Sequence, residues 1–384
     1  MVSYILFQGH PKVTFHPNIH LIMLFISLGL LTLLPAVFGQ SWQQYLDGLV
    51  QALNTSGLTT LSSASAALNI SSEGQRVAQS LPTGNWTLFA PNNQAFSSAP
   101  PNLTSDPTSV GNLISYHVVH GNFTDQTSPY PTITLGRTLL NDTSLVQLEG
   151  NESQVLAWSK GSKGIFVLNN GTIVSVVNTT VYRNLQVLVI DSVLKFPQSL
   201  SDTLTNNTYE VTTFAGALSS VNVSTDNSTT LLDVFDNARG ITLFAPNNTA
   251  FATANGIASL LPNTTALIAL FENHVINGTS VYSPAFTNGQ NYTSASGEPF
   301  TFITNSSGVF VSSAGSNWAR IMRSDVLTSN GVVHVLDSVL LDVKVNASAA
   351  SSAYQSATSV AASMTIETGP VGVAPTSTSS VSGR

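Results

Sequence analysis

Thr87-Leu88-Phe89-Ala90-Pro91-Asn92-Asn93-Gln94-Ala95-Phe96 returns as Thr242-Leu243-Phe244-Ala245-Pro246-Asn247-Asn248-Thr249-Ala250-Phe251, identical except where Gln94 becomes Thr249. Further along, Tyr116-His117-Val118-Val119-His120-Gly121 answers to Asn273-His274-Val275-Ile276-Asn277-Gly278, and Val189-Ile190-Asp191-Ser192-Val193-Leu194 to Val335-Leu336-Asp337-Ser338-Val339-Leu340. Three matches in one order, separated by offsets of about 150 residues, mean a duplicated unit. Solenoid repeats run only ~20–50 residues, so each copy is expected to fold around its own core.

Periodicity gives each copy a common plan. Leu46, Leu49, Val50 and Leu53 recur at helical spacing, as do Val110, Leu113, Ile114 and His117, and in the second copy Leu267, Leu270, Phe271 and His274. Later stretches, 164–168, 172–177 and 185–190, are rich in β-branched residues and broken by Asn170-Gly171, which predicts strands and a hairpin. The second copy repeats this at 309–311, 319–322 and 332–336. The fold class is therefore α+β, helices first and sheet later. The chain divides into a leader 1–39, a first domain 41–197, a polar linker 198–207 opened after Pro197, a second domain 208–345 and a Ser/Thr/Ala/Pro-rich tail 346–384 expected to be a disordered stalk.

The three boxes, including Asn330-Gly331-Val332-Val333-His334-Val335-Leu336-Asp337-Ser338-Val339-Leu340, resemble the fasciclin domain family in order and spacing over about Trp42 to Val345. The resemblance implies a tandem of wedge-shaped β-sandwiches, each of seven strands flanked by short helices. It also implies an extracellular protein of cell adhesion and of wall or matrix organisation.

Composition narrows the function independently. Of 384 residues, 12 are Lys or Arg and 19 are Asp or Glu, giving a net charge of −7 with 42% apolar residues. That is the reverse of a disordered chain. The few basic residues are scattered singly, so no nucleic-acid partner is expected. No cysteine is present, which removes disulfides, thiolate metal sites and cysteine nucleophiles together.

Residues 19–34 are largely apolar and are followed by Pro35-Ala36-Val37-Phe38-Gly39, the pattern of a secretory signal cleaved after Gly39. A start at Met23 would leave a shorter, more ordinary leader. A membrane anchor is the rival reading, but the run is short of the ~20 residues of a span and no transmembrane segment is expected in the mature chain. Acceptors of the form Asn-x-Ser/Thr stand at Asn54, Asn69, Asn85, Asn102, Asn122, Asn141, Asn151, Asn170, Asn178, Asn206, Asn222, Asn227, Asn263, Asn277, Asn291, Asn305 and Asn346, with another at Asn247 inside the apolar box. A glycan coat would supply the hydration that missing charges do not, with roughly half the sites occupied. The chain ends at Ser380-Val381-Ser382-Gly383-Arg384, without the apolar stretch of a lipid-anchor signal.

The candidate recognition residues are Tyr116, His117, His274, Asp325 and Val326. His117 and His274 lie on apolar helix faces and read either as buried organisers, which must find partners for both ring nitrogens, or as an adhesive patch around Tyr116-His117. Asp325-Val326 stands where animal members of the family carry an Asp-Ile integrin-recognition element, though an acidic residue in an exposed turn is also an ordinary solvated cap. Asn92 and Asn247 are expected to cap the helices that follow them, with Phe89, Phe96, Phe244 and Phe251 buried around the turn.

No His-Glu-x-x-His pair, Gly-x-Ser-x-Gly elbow, dinucleotide fingerprint or phosphate loop occurs. Asp191 and Asp337 repeat but without a second repeated acid, so they read as structural acids rather than a glycosidase pair. The expectation is a secreted, non-enzymatic glycoprotein without cofactor or metal. It would act by weak multivalent contacts with cell-surface or cell-wall components, whether protein or polysaccharide. Two other classes remain: a polysaccharide-binding or structural wall glycoprotein without a protein receptor, and a wall-modifying hydrolase.

Overall fold

The structure, a computed structural model, describes residues 42–100, 106–226, 228–254, 263–289 and 291–373. The leader, Asn102, Asn227 and the last eleven residues lie outside the described residues. Each copy builds one seven-stranded sheet. The first comprises β1 (Trp86–Pro91), β2 (Val118–His120), β3 (Thr134–Arg137), β4 (Val155–Gly161), β5 (Gly164–Asn169), β6 (Thr172–Tyr182) and β7 (Leu185–Ile190). The second comprises β8 (Ile241–Pro246), β9 (Val275–Asn277), β10 (Asn291–Thr293), β11 (Pro299–Asn305), β12 (Gly308–Ser313), β13 (Ala319–Thr328) and β14 (Gly331–Leu336).

Strand orders β2-β1-β7-β6-β5-β4-β3 and β9-β8-β14-β13-β12-β11-β10 are the same path walked twice. The box strand pairs in parallel with the last strand of its domain, Phe89 opposite Leu188 and Phe244 opposite His334. Every other pairing between these strands is antiparallel. The long strands β6 and β13 fold each sheet into a wedge. β6 pairs with β5 through Ser175 and, from Val176 onward across a register shift before Asn178, with β7. Shifts at Ile321, Arg323 and Val326 do the same in β13. A bulge adds a residue to one strand and so bends it, which lets one strand serve two layers.

Two main apolar clusters form in each copy, with a small third one around Ala95, Leu113 and Val193 in the first. One lies under the helices, around Leu49, Val77 and Leu88 or around Phe214, Leu243 and Leu270; the other fills the wedge, around Phe89 and Trp158 or around Phe244 and Phe302. The stretch 198–207, expected as a linker, instead carries a helix at Leu200–Thr205 whose Leu200 and Leu204 are fully buried in the second core. Two leucines four apart make one apolar stripe on an otherwise polar helix.

The domains also touch. Ile133, Leu135, Val155 and Ala157 of the first meet Tyr282, Leu327 and Val332 of the second in a shared apolar cluster. Around it, Gln154 Nε2 donates to Thr328 O (3.0 Å) and Glu149 accepts from the backbone and hydroxyl of Ser280.

The described part of the tail, 346–373, carries a helix and packed contacts where a disordered stalk was expected. Asn346 caps a helix at Ala347–Ala361, which packs beside β10 and the turn at Glu149–Asn151. The chain then crosses to the first domain, where Val371 N–H donates to Leu135 O on edge strand β3 (2.9 Å) and Val371 enters the shared cluster. Buried Arg137 fixes this strap, with Glu152 and Glu367 each 2.8 Å from its guanidinium. Burial works against the Arg137 cation, but the two carboxylates outweigh it and keep it charged, while burial pushes Glu152 up to about 7.

Candidate functional site

The repeated boxes turn inward. Asn92 Oδ1 accepts from Ala95 N–H (2.8 Å) and Asn247 Oδ1 from Ala250 N–H (2.7 Å), each capping the following short helix. Phe89 and Phe244 are fully buried; Phe96 and Phe251 are half-buried against the helical cores.

The histidines are also interior, and their environments are duplicates. His117 Nε2 accepts from Leu194 N–H (3.0 Å) and Nδ1 lies 2.8 Å from Leu113 O; His274 meets Leu340 N–H (3.0 Å) and Leu270 O (2.9 Å) in the same way. An imidazole that accepts at Nε2 must carry its proton at Nδ1, so both rings are neutral helix-to-loop pins. Burial lowers both to about 4. The patch expected around Tyr116-His117 is therefore no outer surface: Tyr116 is 1% exposed, with Asn169 beside its hydroxyl.

Asp325 is likewise no exposed turn. At φ 58° in the β13 bulge it is buried, its carboxylate accepting from both the backbone and the hydroxyl of Ser283 and its own N–H reaching His334 Nδ1 (3.3 Å). Its role is to tie β13 to the 283–286 turn. Val326 beside it is buried in the second core.

Three of these residues nonetheless border one feature. Tyr116, Asp325 and Val326 line an open cleft of about 910 Å³ between the two domains. Its first wall is made by 130–133, Phe166 and 168–173, its second by Tyr209, 283–284, Phe286 and 320–327. Tyr130 is exposed, with its ring centroid 5.9 Å from that of half-buried Phe166. Opposite are exposed Met322, Arg320 and Arg323; the Arg323 guanidinium sits 5.2 Å above the Tyr209 ring. His117 and His274 take no part. The sequence reading missed Tyr130, Phe166, Arg320 and Arg323, because their convergence depends on how the domains meet. Two arginines within four residues, in a chain with so few charges, were a weak signal, since Lys160 and Lys163 share that spacing.

Asp191 and Asp337 act as their repetition implied. Asp191 Oδ1 accepts from Ser175 N–H (2.9 Å), and Asp337 Oδ1 from Arg320 N–H (2.8 Å). Each anchors the bent strand of its own domain, and neither lines the cleft. Among the described residues no group of three or more acidic or histidine side chains is placed to hold a metal ion, and no helix is long and apolar enough to cross a membrane. Described glycan acceptors are exposed except Asn170, Asn206 and Asn247, which are half-buried. Asn170, on the cleft wall, spends its Nδ2 on Phe196 O (2.8 Å).

The Fasciclin domain pattern matches residues 49–197 and 200–342. The chain belongs to the fasciclin domain family. Across 302 residues, 74% of this chain, it is 29% identical to a fasciclin-like arabinogalactan protein of Arthroderma benhamiae. A shorter stretch of 153 residues is 35% identical to the immunogenic protein MPB70 of Mycobacterium bovis, covering 38% of this chain and 68% of that one. The match spans 65% of the fungal relative's own length, and 54% of protein sll1483 of Synechocystis, to which 104 residues, 26% of this chain, are 36% identical. Among solved structures, a FAS1 domain pair from the insect cell adhesion molecule Fasciclin I aligns over 75% of this chain and 98% of its own, at 17% identity and a TM-score of 0.34. None of these relatives bears the name of an enzyme.

Proposed function

We propose that this fasciclin-domain protein is a secreted glycoprotein that adheres to, or organises, the cell surface, wall or matrix through weak contacts made by the outer face of the paired domains. The carrying observation is that the side chains of the shared boxes are spent on holding the fold: caps, buried rings, neutral histidine pins and the strand-anchoring carboxylates of Asp191 and Asp337. Recognition is thereby left to the surface, where most glycan acceptors are exposed. The name of the fungal relative, an arabinogalactan protein, supports the glycosylated reading. Because the domains share an apolar cluster and the strap, the pair rather than either module is the binding unit.

The cleft favours one second reading, a polysaccharide-binding or structural wall glycoprotein without a protein receptor. Sedimentation of the glycosylated chain with isolated cell walls, before and after enzymatic glycan removal, tests the proposal. Binding that survives deglycosylation places the contact on protein surface; binding that vanishes with the sugar overturns it. A glycan array run beside a surface-protein pull-down separates the two readings.

A further inference from the structure

The interdomain cleft brings arginine and exposed aromatic side chains from the two domains to one concave site. The chain as a whole is acidic, at −7, yet among the described residues the charged side chains lining this cleft are Arg320, Arg323 and Asp325. Asp325 is buried and its carboxylate is held by Ser283, so what the cleft presents outward is two exposed guanidinium groups. Among the described residues the Arg320 side chain makes no hydrogen bond or ion pair, and Arg323 makes only one long bond to Thr208 O (3.3 Å) while lying over Tyr209. Planar guanidinium groups held this way match carboxylate or sulfate oxygens two at a time.

Facing them, Tyr130 is 62% exposed and leans on Phe166. These rings offer apolar faces with a polar tip, suited to a partner that alternates apolar faces with hydroxyls. At about 910 Å³ the cleft lies near the top of the ~300–1,000 Å³ range of ligand sites, and domain junctions are where such sites gather.

From these observations we infer that the cleft binds a segment of an acidic polysaccharide, its carboxylates or sulfates on Arg320 and Arg323 and its ring faces on Tyr130. The inference rests on, and deepens, the surface-contact reading above. An acidic peptide fits less well. The cleft-wall strands β5, β6, β12 and β13 are all internal to their sheets, so no free strand edge is offered for a peptide backbone to extend. Asn170, the acceptor on the wall, is half-buried and donates its amide nitrogen to Phe196 O.

The test uses the full glycosylated chain and oligogalacturonate as probe, with its methyl-esterified form, a neutral glucan of equal length and polyglutamate as comparisons. Binding to oligogalacturonate is expected to fall about tenfold or more in the R320Q/R323Q double variant. It should fall similarly in Tyr130→Ala, and weaken as salt rises from about 0.1 to 1 M, where the screening length shrinks from ~10 to ~3 Å. Arg183→Gln, an exposed arginine outside the cleft, should leave binding unchanged. Equal binding by the double variant, by the methyl ester or by the neutral glucan overturns the inference, as does tighter binding to polyglutamate. The cell-wall sedimentation assay on the same variants separates the two levels. Wall binding intact in R320Q/R323Q sinks the cleft alone, whereas wild-type protein that binds no wall sinks the broader reading.

Discussion

His117 takes a hydrogen bond at Nε2 from the backbone N–H of Leu194, 77 residues away in sequence, and so pins the end of the Pro107–His117 helix to the segment leaving β7. His274 and Leu340 repeat the bond at the same 3.0 Å. Protonating either ring would turn its acceptor nitrogen into a donor facing a donor.

Stability should therefore fall in acid. His117 and His274 drop from about 6.5 to about 4 on folding because burial disfavours the cation, and His120 and His334 shift the same way. A depressed folded value means that the unfolded chain binds the proton first. The stabilisation is complete above pH ~6.5 and is lost as pH falls toward 4, at about 3 kcal/mol for each of the two pins. Glu152, raised to about 7 mainly by burial, opposes this by costing stability as pH rises from about 4.5 to 7. Thermal melting should show Tm declining from pH 7 to 4, and Glu152→Gln should steepen the decline. A flat profile would contradict the neutral-pin assignment.

The capping asparagines give a paired prediction. Asn92→Ala and Asn247→Ala should each cost about 1 kcal/mol, read from denaturant midpoints, with Asp tolerated at both positions because its side-chain oxygen still accepts the helix N–H.

Arg137 should be the costliest single site at the junction. Arg137→Met leaves Glu152 and Glu367 facing each other without their cation and should cost about 3–5 kcal/mol. Glu367 is more exposed than Glu152, so Glu367→Gln should cost less. Limited proteolysis should cut the strap around 362–370 faster in both variants, in the order Arg137→Met over Glu367→Gln. The reverse order would contradict the clasp.

Glycan occupancy should follow the exposure of each acceptor. Asn170, half-buried against the cleft wall with its side chain tied to Phe196 O, should be less occupied than exposed acceptors such as Asn141 and Asn277. Glycopeptide mass spectrometry reads this directly; equal or higher occupancy at Asn170 would contradict it.

The doubled plan was legible because its signals are local. The Asn170-Gly171 hairpin, the helix ending at His117 and both caps follow from residues within a few positions of one another, and the structure has each. What escaped depends on contacts between distant segments. Leu200 and Leu204 look like stray leucines in a polar stretch until the second core claims them. Tail residues Glu367 and Val371 carry no periodic pattern, and only Arg137 and the junction cluster give them a place. Asp325 read as a surface acid because nothing nearby in sequence discloses its bonds to Ser283.

Hydrogen–deuterium exchange on the full chain, with and without solubilised wall polysaccharide, bears most directly on where this protein makes contact. New protection is predicted in peptides spanning 166–173 and 320–327, the two cleft walls, with 42–81 at the far helical end unchanged. Protection confined to other surfaces, with both walls exchanging as in the free chain, would contradict a binding face at the meeting of the two domains.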